Sequence, residues 1–351
     1  MDCLFFINPT SGSGQGRRLA DQIEQFSIPA PVFKQVVFTD PERLSQQVYS
    51  CAKNKDLVVL CGGDGTVSSI VSHLVNLEQI PPIAIIPLGT GNDIARGTMW
   101  LKSWMKFGLD GLFYAIKEGR CGSLDVWQLQ IERAGSSKHY TLCAYVGIGY
   151  DGRVCQEFLR LNQFFIKRKI STSVKRLLYL PAGLRIFYKN LLHPERIRCT
   201  ICYNDEKGKD VQAGEDRLGQ ILFCNTGYYA GGSLLYKDFS IDDGLMEFFG
   251  LKGYLSYMQL LFEGRLPVRH SSIIPVKSSS FQMEFFSSAY FQVDGEPMGL
   301  LEKGSKVKLE LFRKVPLLTP FLDKYAKKRL KELRPSPELN ELSSSVRPVV
   351  T

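Results

Sequence analysis

The chain has 351 residues, of which 44% are hydrophobic and 23% charged, an ordinary composition for a globular protein and a length that suits two domains. Its net charge of +9 suits an anionic partner such as phosphates, nucleic acid or an anionic membrane surface. No apolar run approaches the roughly 18 residues of a membrane-spanning helix, and the first residues lack the basic start of a signal peptide. Nine scattered cysteines favour a reducing, cytoplasmic compartment over a disulfide scaffold.

Residues 1–120 alternate between strand and helix patterns. Short apolar runs predict strands at residues 3–7, 32–38, 57–61 and 83–86, and helical patterns occupy residues 15–26, 41–53 and 67–77. This order indicates a parallel sheet with helices on both faces, in which ligands bind at the carboxyl ends of the strands. Loops containing glycine at 10–16, 62–65 and 89–91 each follow a strand, so we expect them to converge on that edge.

After residue 120 the pattern becomes that of an antiparallel β domain, which we place at residues 121–314. A mainly helical insertion interrupts it at about 152–191. The predicted strands cover residues 123–131, 140–147, 196–203, 220–224, 244–249, 279–286 and 306–312. We expect a basic amphipathic helix at 315–334 and a disordered tail at 335–351. The connection between the two domains is short, so we expect them to meet tightly over a cleft.

The second glycine loop carries the clearest chemical signal. The apolar strand at residues 57–61 is followed by Gly62, Gly63 and Gly65 around Asp64, and then by a helix. Glycines let an anion approach the backbone closely, and a helix N-terminus attracts its charge. A carboxylate at this point repels a bare phosphate but suits one that arrives with Mg²⁺. The stretch predicts a metal–nucleotide site, and a tight turn around a solvated aspartate is the alternative.

The third loop repeats this arrangement. A strand enters the turn Gly89-Thr90-Gly91-Asn92-Asp93, and a helix follows. Asp64 and Asp93 are therefore expected just after the ends of neighbouring strands, as a pair suited to holding a metal through water. None of the loops ends in the Gly-Lys-Ser/Thr of a Walker A motif, and the protein-kinase signatures are absent.

Three motifs together resemble the catalytic domain of diacylglycerol kinases, a family related to sphingosine and ceramide kinases, bacterial lipid kinases, NAD kinases and 6-phosphofructokinases. They are Asn8-Pro9-x-Ser11-Gly12, Gly62-Gly63-Asp64-Gly65-Thr66 and Pro87-Leu88-Gly89-Thr90-Gly91-Asn92-Asp93-x-Ala95-Arg96. The resemblance covers about residues 1–312 and continues through Gly147-Ile148-Gly149-Tyr150-Asp151, Tyr229-Ala230-Gly231-Gly232, Asp243-Gly244-Leu245 and Asp294-Gly295-Glu296-Pro297. It implies an α/β N-terminal domain with a parallel sheet, like that of NAD kinases and phosphofructokinases. It also implies an antiparallel β-sandwich C-terminal domain with a helical insertion.

The same resemblance implies an ATP-dependent lipid kinase. The residues that match its ATP-binding positions are Asn8, Ser11, Gly12, Thr39, Gly62, Gly63, Asp64, Gly65, Thr66, Gly89, Thr90, Gly91 and Asn92. Glu296 matches the residue proposed as the general base, and we place it with Asp64 in the catalytic centre.

Mg²⁺ is the metal that the resemblance implies, at two places. The carboxylates that match a Mg²⁺–water network beside the phosphates are those of Asp64, Asp93 and Asp125. A second, structural Mg²⁺ in bacterial relatives uses one aspartate carboxylate and two backbone carbonyls. The residues that match those positions by spacing are Ser240, Asp243 and Leu245.

The segment between Glu157 and Glu195 contains no acidic residue. This rules out a dinucleotide site at Gly147-x-Gly149-x-x-Gly152, because such a site needs an acidic residue about 20 positions further on for the ribose. Eight basic residues lie in the same segment among large apolar ones. That mixture is typical of an anionic membrane interface, and a solvated basic helix explains it equally well.

We therefore expect Mg²⁺-assisted transfer of the ATP γ-phosphate to the free hydroxyl of 1,2-diacylglycerol, giving phosphatidate, by a cytoplasmic protein bound peripherally to an anionic membrane surface. The sequence leaves open whether the protein forms a homodimer. No nucleic-acid partner is expected, because the usual RNA-binding signatures are absent. The alternatives are a kinase for a sphingoid base, ceramide or phosphatidylglycerol, and an NAD kinase. Sphingosine kinases typically carry Ser-Gly-Asp-Gly where this chain has Gly62-Gly63-Asp64-Gly65. A basic membrane- or RNA-binding module would leave the three glycine loops unexplained.

Overall fold

The structure is a computed structural model that describes residues 1–26, 32–166, 181–183, 185–186, 188, 196–204, 210–235, 237–262 and 276–322. The helices are α1 (Ser11–Gln25), α2 (Leu44–Cys51), α3 (Asp64–Leu74), α4 (Asp93–Gly97), α5 (Trp100–Glu118), α6 (Tyr150–Ile166) and α7 (Tyr254–Phe262). The first nine strands are β1 (Asp2–Ile7), β2 (Phe33–Phe38), β3 (Leu57–Gly62), β4 (Ile83–Pro87), β5 (Cys121–Arg133), β6 (Ser136–Leu142), β7 (Tyr145–Gly149), β8 (Ile197–Asn204) and β9 (Asp210–Leu218). The others are β10 (Gln220–Cys224), β11 (Tyr228–Tyr229), β12 (Ser233–Leu234), β13 (Met246–Leu251), β14 (Val276–Ser278), β15 (Ser280–Phe285), β16 (Ala289–Val293), β17 (Glu296–Leu301) and β18 (Lys306–Leu318).

The N-terminal strands form the predicted parallel sheet in the order β2-β1-β3-β4. Every residue of β3 and β4 is buried, as expected for strands that are covered on both faces. Ile7 pairs with Cys61, and Gly62 pairs with Pro87, so the three strands end side by side. This alignment brings the three glycine loops to one edge.

The C-terminal half is the predicted antiparallel β-sandwich. One layer continues the first sheet through β18, β15, β8 and β9, and the other has the order β14-β13-β10-β7-β16-β17. Side chains from both layers meet in a buried core that contains Trp127, Ile148, Phe223, Phe281 and Leu309. The helix α6 leaves the sandwich directly after β7, where the helical insertion was predicted.

The predicted strand at 306–312 runs on to Leu318, so the expectation of a helix from residue 315 is wrong at its start. Val315, Leu317 and Leu318 are buried in the core that fills the N-terminal half. Leu317 pairs in parallel with Ile83 of β4, which makes β18 the strand that joins the two halves into one sheet. The rest of the predicted basic helix and the predicted tail lie outside the described residues from 323 onward.

The single strand predicted at 140–147 is two strands, β6 and β7, which belong to different sheets. The break has a local cause. The backbone N–H groups of Cys143, Ala144 and Tyr145 all donate to the carboxylate of Asp294 rather than to a neighbouring strand. In the part of the chain that the structure describes, no helix is long and apolar enough to cross a membrane.

Candidate active site

The first glycine loop is fastened to the helix that follows the second. The Asn8 side-chain amide donates to Thr66 Oγ1 at 2.9 Å, which ties the end of β1 to the first turn of α3. Its oxygen accepts hydrogen bonds from the backbone and hydroxyl of Thr10, at 3.0 and 2.9 Å. Gly12 has φ +57°, a backbone conformation that favours glycine. The loop is therefore anchored beside the first turn of α3.

The second and third loops touch backbone to backbone. A β-carbon on Gly89 would lie 2.3 Å from the Cα of Gly63, so neither loop tolerates a side chain at this contact. Asn92 closes the third turn, accepting from the Gly89 N–H at 2.9 Å and donating to the Gly89 carbonyl at 2.8 Å. Asn92 itself has φ +54°, which asparagine adopts more readily than most residues. The two loops form one packed unit.

Asp64 and Asp93 lie together at the N-termini of α3 and α4. Asp64 Oδ1 accepts a hydrogen bond from the Ile94 N–H at 2.9 Å, and Asp93 Oδ2 accepts from the Gly231 N–H at 2.8 Å. Burial, followed by repulsion from Asp93, raises the pKa of Asp64 to about 7. Arg96 lies 4.0 Å from Asp93 Oδ1, a distance at which it only partly balances the two carboxylates. The pair is therefore an electrostatically unfavourable arrangement that a cation would relieve.

This pair fits one Mg²⁺. Carboxylate oxygens are the hard ligands that Mg²⁺ prefers, and the ion typically uses one or two carboxylates while waters and substrate phosphates complete its shell. Within the described ranges no group of three or more His, Cys, Asp or Glu side chains could hold a metal by itself. The donor set therefore suits a metal that arrives with a phosphate rather than one held by a protein cage.

Glu296 reaches this centre from the other half of the molecule. It begins β17, and its Oε1 lies 3.0 Å from where a β-carbon on Gly65 would stand. Glu296 is an exposed residue overall, but burial of its carboxyl group raises the pKa of that group above its usual value. The structure thus places Glu296 against the first turn of α3, on which Asp64 also lies.

Asp125 makes its direct contacts with other residues than the Asp64–Asp93 pair. It is fully buried on β5, where Oδ2 accepts from the Gly244 N–H at 2.6 Å and Oδ1 lies 3.1 Å from Lys314 Nζ. Both carboxylate oxygens therefore contact the loop before β13 and a cation on β18. These direct contacts do not test the expected Mg²⁺–water network, so the place of Asp125 in it stays a prediction.

The second implied Mg²⁺ was expected at the loop before β13, which makes its own contacts. Asp243 Oδ1 accepts from the Leu245 N–H at 3.0 Å, and Ser240 Oγ donates to Asp242 Oδ1 at 2.7 Å. Two ammonium groups border the loop: Lys277 lies 3.9 Å from Asp243 Oδ2, and Lys314 donates to the Asp242 carbonyl. Positive charge is thus already present where a divalent cation was expected. The backbone carbonyls of Ser240 and Leu245 are not among these contacts, so the expected metal site with Asp243 stays a prediction, which the nearby ammonium groups disfavour.

The remaining expected ATP contacts lie along the same strand-end edge. Thr39 follows β2, and its N–H donates to the Ile7 carbonyl at 2.9 Å. Thr90 lies exposed in the third loop between Gly89 and Gly91. Their roles in binding ATP remain predictions.

Two family models match most of the chain. The model of the diacylglycerol kinase catalytic domain matches residues 2–128, and that of the diacylglycerol kinase accessory domain matches residues 141–297. The chain belongs to the diacylglycerol kinase family. The first matched region contains the glycine loops and the aspartate pair, and the second contains Glu296.

Two named relatives are longer than this chain. It is 28% identical over 345 residues to the eye-specific diacylglycerol kinase of Drosophila melanogaster, an alignment that covers 90% of this chain and 22% of that protein. It is 30% identical over 256 residues to diacylglycerol kinase 2 of Arabidopsis thaliana, covering 68% of this chain and 35% of that protein. The chain thus spans well under half the length of these relatives.

A crystal structure described as a diacylglycerol kinase from Bacillus anthracis str. Sterne shares the fold. Its TM-score is 0.57 at 19% identity, and the match covers 91% of this chain and 96% of that one. At this identity the likeness concerns the fold alone. It agrees with the predicted fold class, a parallel N-terminal sheet followed by an antiparallel sandwich.

Two residues at the junction of the halves of this family member were not predicted from the sequence. Asp294 is almost fully buried, and its Oδ2 accepts a short hydrogen bond of 2.5 Å from Ser68 Oγ of α3. Asp294 was noted only as part of the Asp-Gly-Glu-Pro motif. The one available signal for Ser68 is its spacing: it lies four residues after Asp64, hence on the same side of the helix.

Proposed function

We propose that this chain is a kinase that transfers the γ-phosphate of ATP to the free hydroxyl of a lipid alcohol, and that the alcohol is 1,2-diacylglycerol. The observation that carries the proposal is the position of Glu296 against Gly65, beside the Asp64–Asp93 pair and the three glycine loops. A phosphate site and a carboxylate base thereby face each other across the junction of the two halves.

The first turn of α3 supplies the phosphate site. Its N–H groups have no partner within the helix, and the helix dipole adds positive potential at the same point. Gly62 and Gly63 before it and Gly65 within it leave the backbone open to a bulky anion. The loop fastened by Asn8 and Thr66 lies next to this turn and would cover the nucleotide.

Glu296 is the proposed general base. A carboxylate within hydrogen-bond reach of the acceptor hydroxyl takes its proton as the bond to phosphorus forms. Burial raises the pKa of Glu296, which makes the ionised form a stronger base. Phosphoryl transfer otherwise depends on positioning and charge neutralisation, which the rigid loop unit provides.

Mg²⁺ would be held by Asp64 and Asp93, and when bound it neutralises charge on the phosphate oxygens. With the metal bound both carboxylates are ionised, and this opposes the raised pKa of Asp64. The Ile94 and Gly231 N–H groups fix the two side chains in place. These backbone contacts orient the pair before the nucleotide binds.

Diacylglycerol is the preferred acceptor because the relatives that this chain matches, from Drosophila melanogaster and Arabidopsis thaliana among others, are named as diacylglycerol kinases. The second candidate is another lipid alcohol, such as a sphingoid base, ceramide or phosphatidylglycerol. The Gly62-Gly63-Asp64-Gly65 turn argues mildly against a sphingosine kinase.

We further propose that the enzyme binds peripherally to anionic membranes, through the basic segment between Glu157 and Glu195. Most of that segment lies outside the described residues.

A substrate panel tests the proposal. Radiolabelled phosphate transfer from ATP with Mg²⁺ is measured on mixed micelles of diacylglycerol, monoacylglycerol, sphingosine, ceramide and phosphatidylglycerol, with NAD as a soluble control. We expect labelled phosphatidate from diacylglycerol. Label on another lipid would replace the acceptor, and label on NAD alone, or on nothing while the protein is folded, would refute the lipid-kinase proposal.

A further inference from the structure

Asp294 has an unusually complete set of hydrogen-bond donors for one carboxylate. Oδ1 accepts from the N–H groups of Ala144 and Tyr145, both at 2.9 Å, and Oδ2 accepts from the Cys143 N–H at 2.9 Å. Ser68 Oγ donates to Oδ2 as the fourth partner. An ionised carboxylate offers about four acceptor positions, so this one is fully used.

The burial of Asp294 requires these donors. Burying an ionised carboxylate without hydrogen-bond partners costs a large amount of free energy. Desolvation raises the pKa of Asp294, and its hydrogen bonds oppose that rise. Three consecutive N–H groups form a concave anion site where the chain passes from β6 to β7. The fourth donor differs from these three because Ser68 belongs to α3, in the N-terminal half.

The Ser68–Asp294 hydrogen bond lies between the two parts of the proposed catalytic centre. Ser68 is one helical turn after Asp64 on α3. Asp294 begins the turn that leads, through Gly295, to Glu296. Asp294 has φ +47° and Gly295 has φ +86°, and the Gly295 N–H donates to Gln292 Oε1 at 2.7 Å, so the turn itself is tightly defined.

We propose that Ser68 and Asp294 are positioning residues, whose hydrogen bond fixes Glu296 over the first turn of α3. The inference rests on the proposed kinase function of the site. Neither residue touches the substrate in this account. They act by holding the turn that carries the base against the helix that carries the phosphate site. A misplacement of about 1 Å at such a centre can cost about a hundredfold in rate.

A purely structural role predicts a different result from a positioning role. If the hydrogen bond only stabilised the fold, its loss would lower the unfolding temperature and leave kcat unchanged in the folded protein. If it positions Glu296, its loss lowers kcat while ATP still binds normally, because the glycine loops are intact. The separation of kcat from the affinity for ATP therefore distinguishes the two roles.

The test compares three serine variants in the full chain. Ser68→Ala removes the hydroxyl, Ser68→Thr keeps it, and Ser69→Ala is the matched control because Ser69 is exposed on the same helix. We expect Ser68→Ala to lower kcat for lipid phosphorylation about ten- to a hundredfold, with the Kd for ATP changed less than about twofold. Ser68→Thr recovers most of the rate, and Ser69→Ala behaves as wild type. A folded Ser68→Ala protein with wild-type kcat would overturn the inference.

Amide hydrogen exchange tests the contact without any assay of activity. In Ser68→Ala we expect faster exchange at residues 294–298 than in wild type or Ser69→Ala, while exchange in β3 stays the same. Unchanged exchange in this turn would overturn the inference. If wild type transfers phosphate to no acceptor, the kinase proposal fails, and the exchange result still decides whether Ser68 holds the turn. Asp294→Asn, which keeps the shape but not the four acceptor positions, serves as a second variant and should loosen the same turn.

Discussion

Asp151 is a buried carboxyl group outside the proposed catalytic contacts, in the first turn of α6. Gln292 Nε2 donates to its Oδ2 at 2.6 Å, and the Tyr257 hydroxyl lies 3.4 Å from its Oδ1. Burial raises its pKa from the ordinary 3.8 to about 6, although these hydrogen bonds oppose the rise. The folded protein therefore holds this proton more tightly than the unfolded chain does.

That difference predicts how the stability depends on pH. Between about pH 4 and pH 6 the unfolded chain releases the Asp151 proton first, so the free energy of unfolding falls as the pH rises, by about 3 kcal/mol in total. Asp151→Asn cannot ionise and should lack this contribution. Urea unfolding at several pH values measures this contribution. The free energy of unfolding of the wild type minus that of the variant should decline from pH 4 to pH 7. A difference that stays level over this range would contradict the assignment.

Gly89 is the residue that lets the second and third loops pack together. A β-carbon there would lie 2.3 Å from the Gly63 Cα, so Gly89→Ala must push the two backbones apart. We expect a loss of about 1–3 kcal/mol of stability and at least tenfold weaker ATP binding, measured by urea unfolding and calorimetry. Gly122→Ala is the control, since its β-carbon would meet nothing within 4 Å. Equal ATP affinity in the two folded variants would refute the packed-loop account.

Among the secondary-structure elements, two lysines hold the loop that leads into β13. Lys314 on β18 lies 3.1 Å from the fully buried Asp125, and Lys277 on β14 lies 3.1 Å from Glu247, which is 1% exposed. Lys277 also donates to the Asp238 carbonyl at 3.0 Å. The two ammonium groups thus tie the loop at residues 238–247 to both layers of the sandwich.

We predict that Lys314→Met lowers the stability by about 2 kcal/mol. Removal of the Lys314 ammonium group leaves the buried Asp125 carboxylate without its nearby positive charge. Because Lys314 itself is partly exposed, the loss of stability should be smaller than for a fully buried ion pair. Lys308→Met is the matched control on the same strand, because the Lys308–Glu310 pair is exposed on both sides and should contribute under about 1 kcal/mol. Similar losses in the two variants, measured by chemical denaturation, would contradict this.

Because Lys277 and Lys314 border the same loop, we predict that its stability does not require a divalent cation. In EDTA and in millimolar Mg²⁺ without nucleotide, we expect the unfolding temperature of the wild-type protein to change by less than about 2 °C, a difference worth about 1.5 kcal/mol at most. Asp64→Asn is measured in parallel, because Asp64 belongs to the other proposed Mg²⁺ site. A large stabilisation by Mg²⁺ that persists in Asp64→Asn would show that the loop binds metal after all.

At the scale of the whole molecule, the two regions that the family models match are one structural body in the described residues. β18 pairs with both β4 and β5, and the core of the N-terminal half also contains Leu222, Phe249 and Tyr254 from the other half. Trp100 of α5 donates to the Leu318 carbonyl at 3.1 Å, which adds a contact across the same junction. The halves therefore depend on each other for their burial.

This arrangement predicts one cooperative unfolding transition. Trp100 reports on the N-terminal half and Trp127, whose indole N–H donates to Asn225 Oδ1 at 3.2 Å, reports on the sandwich. Variants that keep only one of the three tryptophans, with the others changed to Phe, allow each half to be followed separately. In each variant the fluorescence midpoint should coincide with the far-UV circular dichroism midpoint. Two separate midpoints would show that the halves unfold independently.

The sequence was sufficient where neighbouring residues decide the structure. The continuous apolar runs of β1, β3 and β4 predicted a parallel sheet, and the position of Asp64 and Asp93 after adjacent strands predicted that they would meet. It was insufficient where partners are far apart in the chain. The pairing of Leu317 with Ile83, the contact of Lys314 with Asp125 and the donors around Asp294 come from distant segments. No local pattern encodes such contacts, which depend on how the two halves pack.

Glu296 is proposed to act on a phosphate site built by the other half of the molecule. The most direct measurement is single-turnover transfer from labelled ATP to diacylglycerol by Glu296→Gln, with Glu302→Gln as the control on an exposed glutamate that follows the same strand. We predict that Glu296→Gln binds ATP with wild-type affinity and forms phosphatidate at least about a hundredfold more slowly, whereas Glu302→Gln matches wild type. Wild-type transfer by Glu296→Gln would contradict the account.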